Sequence, residues 1–201
     1  MSVLLIAEHN NKELKSFTLN AITAASQVKE DVHVLVLGYN SDSVVKSISE
    51  IPNVKKVIYV NNQTYENYLA ENYTSAVLKF ADNYSHIMCS ANTFGKNLMP
   101  RIAALLDVSQ VSDITKVISE DTFLRPIYAG NAFATVKSTD KIKCVTIRPT
   151  SFDPAPTSGG SAEITNGDPG DASEVSKFIK KEEIKSDRPE LGTARIVVSG
   201  G

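Results

Sequence analysis

A chain of 201 residues has room for one good-sized core and a tail, and 42% hydrophobic against 22% charged residues places it among ordinary globular proteins and excludes disorder throughout. Lys and Arg total 21 against 23 Asp and Glu, a net charge of -2, so no basic field exists to hold a nucleic acid. The two cysteines, Cys89 and Cys144, belong to no C-x-x-C pair that could hold zinc or an iron–sulfur cluster, and no metal site is expected.

The amino terminus, MSVLLIAEHN, meets Glu8 and His9 too early for a signal peptide and lacks the Arg-rich character of a transit peptide. No later apolar run is long enough to span a bilayer. The chain therefore reads as a soluble protein of the cytoplasm, or of the mitochondrial matrix if eukaryotic.

In chain order, Val3 to Ala7 reads as a first strand, and Leu14, Phe17, Ala21, Ala24, Ala25 and Val28 line one face of a helix. VHVLVLG (32 to 38) is a second strand. A short helix carries Val44, Val45, Ile48 and Ile51 and is stopped by Pro52; a third strand runs from Val54 to Val60. Leu69, Tyr73, Ala76, Val77 and Phe80 make the next helical face, and HIMCSA (86 to 91) a fourth strand. Asn92 or Thr93 is the expected N-cap of a helix bearing Leu98, Ile102, Leu105 and Leu106, with Pro100 in its first turns. Short apolar strands alternating with amphipathic helices predict an α/β fold with a mostly parallel sheet and helices on both faces.

From about residue 111 the helical period disappears. DITKVIS, FLRPIYAGNAFATVKS and IKCVTIRP read as strands of a β-rich, mostly antiparallel extension, with Ala129, Gly130 and Asn131 at a hairpin turn or bulge. The division expected is an N-terminal α/β domain over 1–149, a linker or arm over 150–186, and a severed first strand of another domain over 187–201. Within the arm, residues 150 to 172 hold four glycines and three prolines and cannot bury a continuous apolar face. A short amphipathic helix is expected from Val175 to Ile184, and ARIVVSGG (194 to 201) reads as a buried strand running into a glycine-rich turn.

Four stretches, GKNLMPRIAALLDVSQVSDITKV (95 to 117), IYAGNAFATVK (127 to 137), TSFDPAPTSGG (150 to 160) and SDRPELGTARIVVSGG (186 to 201), resemble the alpha subunits of electron transfer flavoproteins, in that family's order and at compatible spacing. With the order of strands and helices, the resemblance extends over essentially the whole chain. It implies a Rossmann-like sheet of the adenine nucleotide alpha hydrolase kind, and a scaffold domain that packs against a beta subunit carrying AMP. In the complete heterodimer FAD would carry electrons from acyl-CoA and other dehydrogenases to a quinone oxidoreductase or another acceptor.

The FAD ligands are expected beyond Gly201, so the chain is expected to be truncated at the start of the FAD-binding domain and to bind no FAD itself. Ser199, Gly200 and Gly201 match the start of the loop that approaches the flavin, where small residues let backbone come close to a cofactor. The arm is expected to be mobile or borrowed by a neighbouring molecule, and an orphaned beta-subunit surface to drive self-association.

Other candidates carry bland readings beside sharp ones. His9 follows the first strand, where ligands gather at the carboxyl edge of α/β sheets, while His33 and His86 read as packed or capping residues. Cys89 reads as a small buried hydrophobe. SANTFGK (90 to 96) follows a strand and opens a helix, as an anion loop would, but lacks the Walker spacing; it reads as an N-cap with a helix-starting glycine. Arg101 reads as a salt-bridged surface or interface residue. No triad or carboxylate pair is present, so an electron-carrier subunit rather than an enzyme is expected. The alternative function is a self-contained small nucleotide-binding α/β module.

Overall fold

The computed structural model describes residues 1–182, 194 and 196–200. Seven strands form one sheet: β1 (Ser2–Ile6), β2 (Val32–Gly38), β3 (Val54–Asn61), β4 (Tyr84–Ser90), β5 (Gln110–Ile114), β9 (Lys143–Ile147) and β10 (Glu163–Asn166), in the spatial order β10-β3-β2-β1-β4-β9-β5. Every pairing in it is parallel. A three-stranded antiparallel sheet, β6 (Lys116–Ser119), β7 (Thr122–Ile127) and β8 (Ala132–Lys137), stands apart from it.

The sheet is parallel because its central strands are apolar on both faces. Val3, Leu5, Val34 and Val36 face one core, and Leu4, Ile6, Leu35 and Leu37 the other; all are buried. Helices α1 (Ser16–Val28) and α2 (Asp42–Ser49) cover the first face through Ala21, Ile22, Ala25, Val44 and Ile48. Helices α3 (Ala70–Ala81) and α4 (Thr93–Leu105) cover the second through Tyr73, Val77, Leu98 and Ile102. Each such side chain contributes roughly 1.5–3 kcal/mol when removed from water, which outweighs any local propensity. The first ninety residues thus bear out the strand–helix alternation, with boundaries moved by one or two residues.

Three expectations are corrected. IKCVTIRP does not join the antiparallel extension: β9 inserts between β4 and β5, pairing Ile87 with Cys144 and Val111 with Val145. The strand is apolar on both faces, with Val145 and Ile147 buried in one core and Cys144 in the other, which suits the doubly covered parallel sheet rather than the three-stranded sheet with its exposed Phe133 and Ile118. Pro100 lies in the body of α4 rather than its first turns, so the Lys96 carbonyl loses its i+4 amide donor while the helix continues to Leu105. The stretch 150 to 172 is not a mobile arm. Phe152 and Ala155 are buried against α1, the amides of Gly160 and Ala162 donate to Glu50 and Ser49, and β10 extends the sheet beside β3.

The hairpin turn falls where expected: Tyr128, Ala129 and Gly130 all have positive φ, of 50°, 54° and 91°. No helix occurs over 175–182, where α-helical hydrogen bonds are absent, and residues 183 and 184 lie outside the described residues.

Candidate functional site

In an open parallel sheet, ligands bind beyond the carboxyl ends of the strands where the strand order reverses, here between β1 and β4. In this molecule that gap is closed by its own side chains. Asn92 caps α4, its Oδ1 accepting from the Gly95 amide at 3.2 Å, and its Nδ2 donates to the Glu8 carboxylate. Gly95 is obligatory there, because a Cβ would stand 1.9 Å from the Ser90 carbonyl oxygen and 2.7 Å from Cys89 Sγ. The Gly95 amide is taken by the cap, and the Glu8 carboxylate bonded to the same Asn92 puts negative charge beside the helix start, which disfavours an anion there. SANTFGK is therefore a helix cap, as its bland reading has it. Asn92→Ala is expected to lower stability by about 1–2 kcal/mol, read from the urea midpoint; an unchanged midpoint would show the cap to be replaceable by water.

A cavity of about 500 Å³ opens instead beside the β1 and β2 ends, lined by His9, Asn11, Lys15, Tyr68, Phe178 and Lys181 among others. The floor is aromatic: Tyr68 meets Tyr73 edge-on at 4.9 Å and Phe94 at 4.8 Å between ring centroids. His9 Nδ1 accepts from the Asn11 amide at 3.0 Å, and Nε2 is buried without a well-formed hydrogen bond. The neighbouring Leu37 carbonyl is already taken by the Tyr73 hydroxyl at 2.7 Å. Burial pushes the His9 imidazole down to about 4, against the opposing influence of that carbonyl.

His33 and His86 are packed, as read. His33 lies 2.8 Å from the Tyr84 hydroxyl and 3.1 Å from the Asp31 carboxylate. His86 Nε2 donates to the Glu120 carbonyl at 2.6 Å, leaving Nδ1 to accept from Ser85 Oγ at 2.9 Å. Burial holds its imidazole at about 4. Cys89 and Cys144 are buried free thiols; burial raises both, Cys144 to about 12, so neither is a thiolate at neutral pH. Arg101 is exposed and draws the Glu71 carboxylate downward, behind a larger influence from hydrogen bonds to Glu71.

The model of the electron transfer flavoprotein domain family matches residues 3–172. The chain belongs to the electron transfer flavoprotein family. Its relatives are alpha subunits: it is 48% identical over its whole length to "Electron transfer flavoprotein subunit alpha" of Pseudomonas aeruginosa, covering 65% of that protein. It is 48% identical over 98% of its length to the mitochondrial subunit alpha of Dictyostelium discoideum, covering 60% of it, and 45% identical over its whole length to the subunit of Bradyrhizobium diazoefficiens, covering 64%. The chain therefore spans a little under two thirds of the length of the relatives it matches.

Of the three expected flavin-loop residues in this electron transfer flavoprotein chain, Ser199 and Gly200 lie in an exposed stretch without regular structure, and Gly201 lies outside the described residues. A Cβ on Gly200 would meet nothing within 4 Å. Ile196, Val197 and Val198 are exposed and in no strand, unlike the buried strand expected there, because no neighbouring strand pairs with them among the described residues. Across the strand switch Asn92 bonds to Glu8, an acidic group beside which a dinucleotide's pyrophosphate is a poor fit, and Gly200 faces no opposing wall among the described residues. Among the described residues no helix is long and apolar enough to cross a membrane, and no cluster of His, Cys, Asp and Glu could hold a metal.

Two features of the electron transfer flavoprotein domain escaped the sequence reading. Arg148 at the end of β9 forms a bidentate pair with Asp113, through Nε at 3.2 Å and through Nη2, and Asp113 sits at a φ of 59°. The Glu8 to Asn92 clamp joins residues far apart in sequence. A left-handed Asp within a strand and a contact across the fold leave no local pattern; only the cap signal at Asn92 pointed to either.

Proposed function

We propose that this chain is the scaffold part of an electron transfer flavoprotein alpha subunit. In the complete heterodimer it packs against a beta subunit that carries AMP, and helps to seat a separate FAD-holding domain. That assembly carries electrons from acyl-CoA and other dehydrogenases to a quinone oxidoreductase or another acceptor, in the bacterial cytoplasm or the mitochondrial matrix, and the chain is a carrier subunit rather than an enzyme.

The observation that carries this reading is the match to alpha subunits along the full chain at 40–48% identity. A sheet whose nucleotide gap is closed from within suits a scaffold better than a nucleotide-binding module. The exposed apolar side chains Ile118 and Phe133 on the three-stranded sheet, and Tyr128 in its hairpin turn, suit a protein partner, or self-association where that partner is missing. Ser199, Gly200 and Gly201 are retained as the approach to the flavin loop.

The test is the visible spectrum of the purified 201-residue chain with and without added FAD, together with co-purification of an added electron transfer flavoprotein beta subunit. No flavin band and no FAD binding are expected, with capture of the beta subunit. Stoichiometric flavin on this chain alone would overturn the assignment of FAD to another domain, and failure to capture the beta subunit would overturn the scaffold role.

A further inference from the structure

After β10 the chain does not leave the molecule but crosses the outside of α3, held at each step. The Gly167 amide donates to the Tyr59 carbonyl at 2.8 Å, and Lys79 Nζ to the Pro169 carbonyl at 2.9 Å. The Gly170 amide donates to the Tyr65 hydroxyl at 2.9 Å, the Ser173 amide to Asn72 Oδ1 at 2.8 Å, and Ser176 Oγ to the Glu71 carboxylate at 3.0 Å. Gly170 presses so close to α3 that a Cβ would stand 2.4 Å from the Ala76 nitrogen and 2.5 Å from the Ser75 carbonyl carbon. Only glycine allows that contact.

Past these contacts Phe178 and Lys181 reach the cavity beside His9 and Asn11. The segment starts at the β10 edge of the sheet and ends at the crevice beside the carboxyl ends of β1 and β2. We propose that residues 167–182 form a latched strap that supplies one wall of this crevice, through Phe178 and Lys181, and that releasing the latch over α3 removes that wall and widens the crevice. The latch is made of a handful of hydrogen bonds, that from Lys79 exposed and those to Tyr65, Asn72 and Glu71 part-buried, and one glycine contact; it buries no large apolar side chain of its own, and such elements open below the free energy of global unfolding. The strap leads directly into the residues beyond 182, so a pull on that following segment is transmitted to the crevice.

The experiment is amide hydrogen exchange and limited trypsin digestion of the full chain, comparing wild type with Gly170→Ala and Phe178→Ala. Gly170→Ala cannot seat the latch. Exchange from Asn10 to Lys15 and from Glu66 to Tyr68 is expected to rise about tenfold or more, and cleavage after Lys177 to speed up by a similar factor, while Leu5 and Leu35 keep wild-type protection. Phe178→Ala leaves the latch but removes its contribution to the crevice wall, so exchange at Asn10 to Lys15 rises with cleavage after Lys177 unchanged. Unchanged exchange at Asn10 to Lys15 in either variant overturns the proposal. If Gly170→Ala loosens Leu5 and Leu35 as well, Asn72→Ala, which removes the acceptor for Ser173 without a clash, is judged by the same criteria.

Discussion

Gly95→Ala is expected to remove at least about 3 kcal/mol of stability, a large part of the roughly 5–15 kcal/mol available to a domain. The added methyl would lie 1.9 Å from the Ser90 carbonyl oxygen and 2.7 Å from Cys89 Sγ, and the first of these is backbone at the end of β4 that cannot turn aside. The first turn of α4 would have to lift away from β4, breaking the Asn92 cap and the Glu8 contact with it. Gly130→Ala is the control: its φ of 91° strains an alanine, but nothing lies within 4 Å of the new methyl, so only about 1 kcal/mol is expected. The comparison is made by urea unfolding with a common slope. Equal losses at the two sites would mean that close packing at Gly95 is not what requires glycine.

Acid is expected to unfold this protein through its histidines before its carboxylates are fully titrated. His9 and His86 are held neutral by burial, with folded values of about 4 against the ordinary 6.5. Above pH 6.5 both are neutral in the folded and unfolded chain alike, and neither costs anything. As pH falls from 6.5 to 4 the unfolded chain takes up protons that the folded one refuses, so stability falls with pH across this window and levels off below it. The loss is at most about 3 kcal/mol per histidine. His86→Gln keeps a donor for the Glu120 carbonyl but cannot titrate. Its stability curve should be flatter than wild type between pH 6.5 and 4, whatever the offset at pH 7. Parallel curves would show that His86 takes up its proton in the folded state at an ordinary pH.

The first ninety residues were legible because their signal is local. A β-branched run followed by apolar residues at helical spacing means the same thing wherever the helix docks, and Asn92 announces a cap by its residue type alone. Pro52 and Gly130 likewise act within their own turns. What could not be read are contacts made across the chain. Lys143–Ile147 looks like any short strand, and nothing in those five residues says that their neighbours are β4 and β5 rather than β8. The stretch from 150 to 172 looked unstructured because it has no apolar period. It is held by shape and backbone bonding instead, with Gly160 lying against the Ile51 carbonyl and Gly167 fitting among Phe80, Ile58 and Val60. Glycines chosen for close approach look the same in sequence as glycines chosen for freedom. At the carboxyl edge the sequence singled out His9 and SANTFGK, but not that Glu8 would reach across to Asn92 and shut the gap.

The insertion of β9 between β4 and β5 also dictates an order of assembly. β5 touches no strand of its sheet except β9, and the whole three-stranded hairpin region is interposed between them in the chain. On a ribosome, β1 to β4 and the helices between them can collapse as soon as they emerge, since their pairings with one another lie within the first ninety residues. β5 emerges next and finds its seat missing. Its amides and carbonyls have no sheet partner until Lys143–Ile147 is made, and the open side of β4 stays unpaired for the same interval. β10 must wait longer still, because Thr165 contacts Val57 across 108 residues of sequence. The nascent chain therefore exposes unpaired edges on β3, β4 and β5 while its middle third is being synthesised, and this is the stage at which a chaperone or a premature encounter with another chain would matter most.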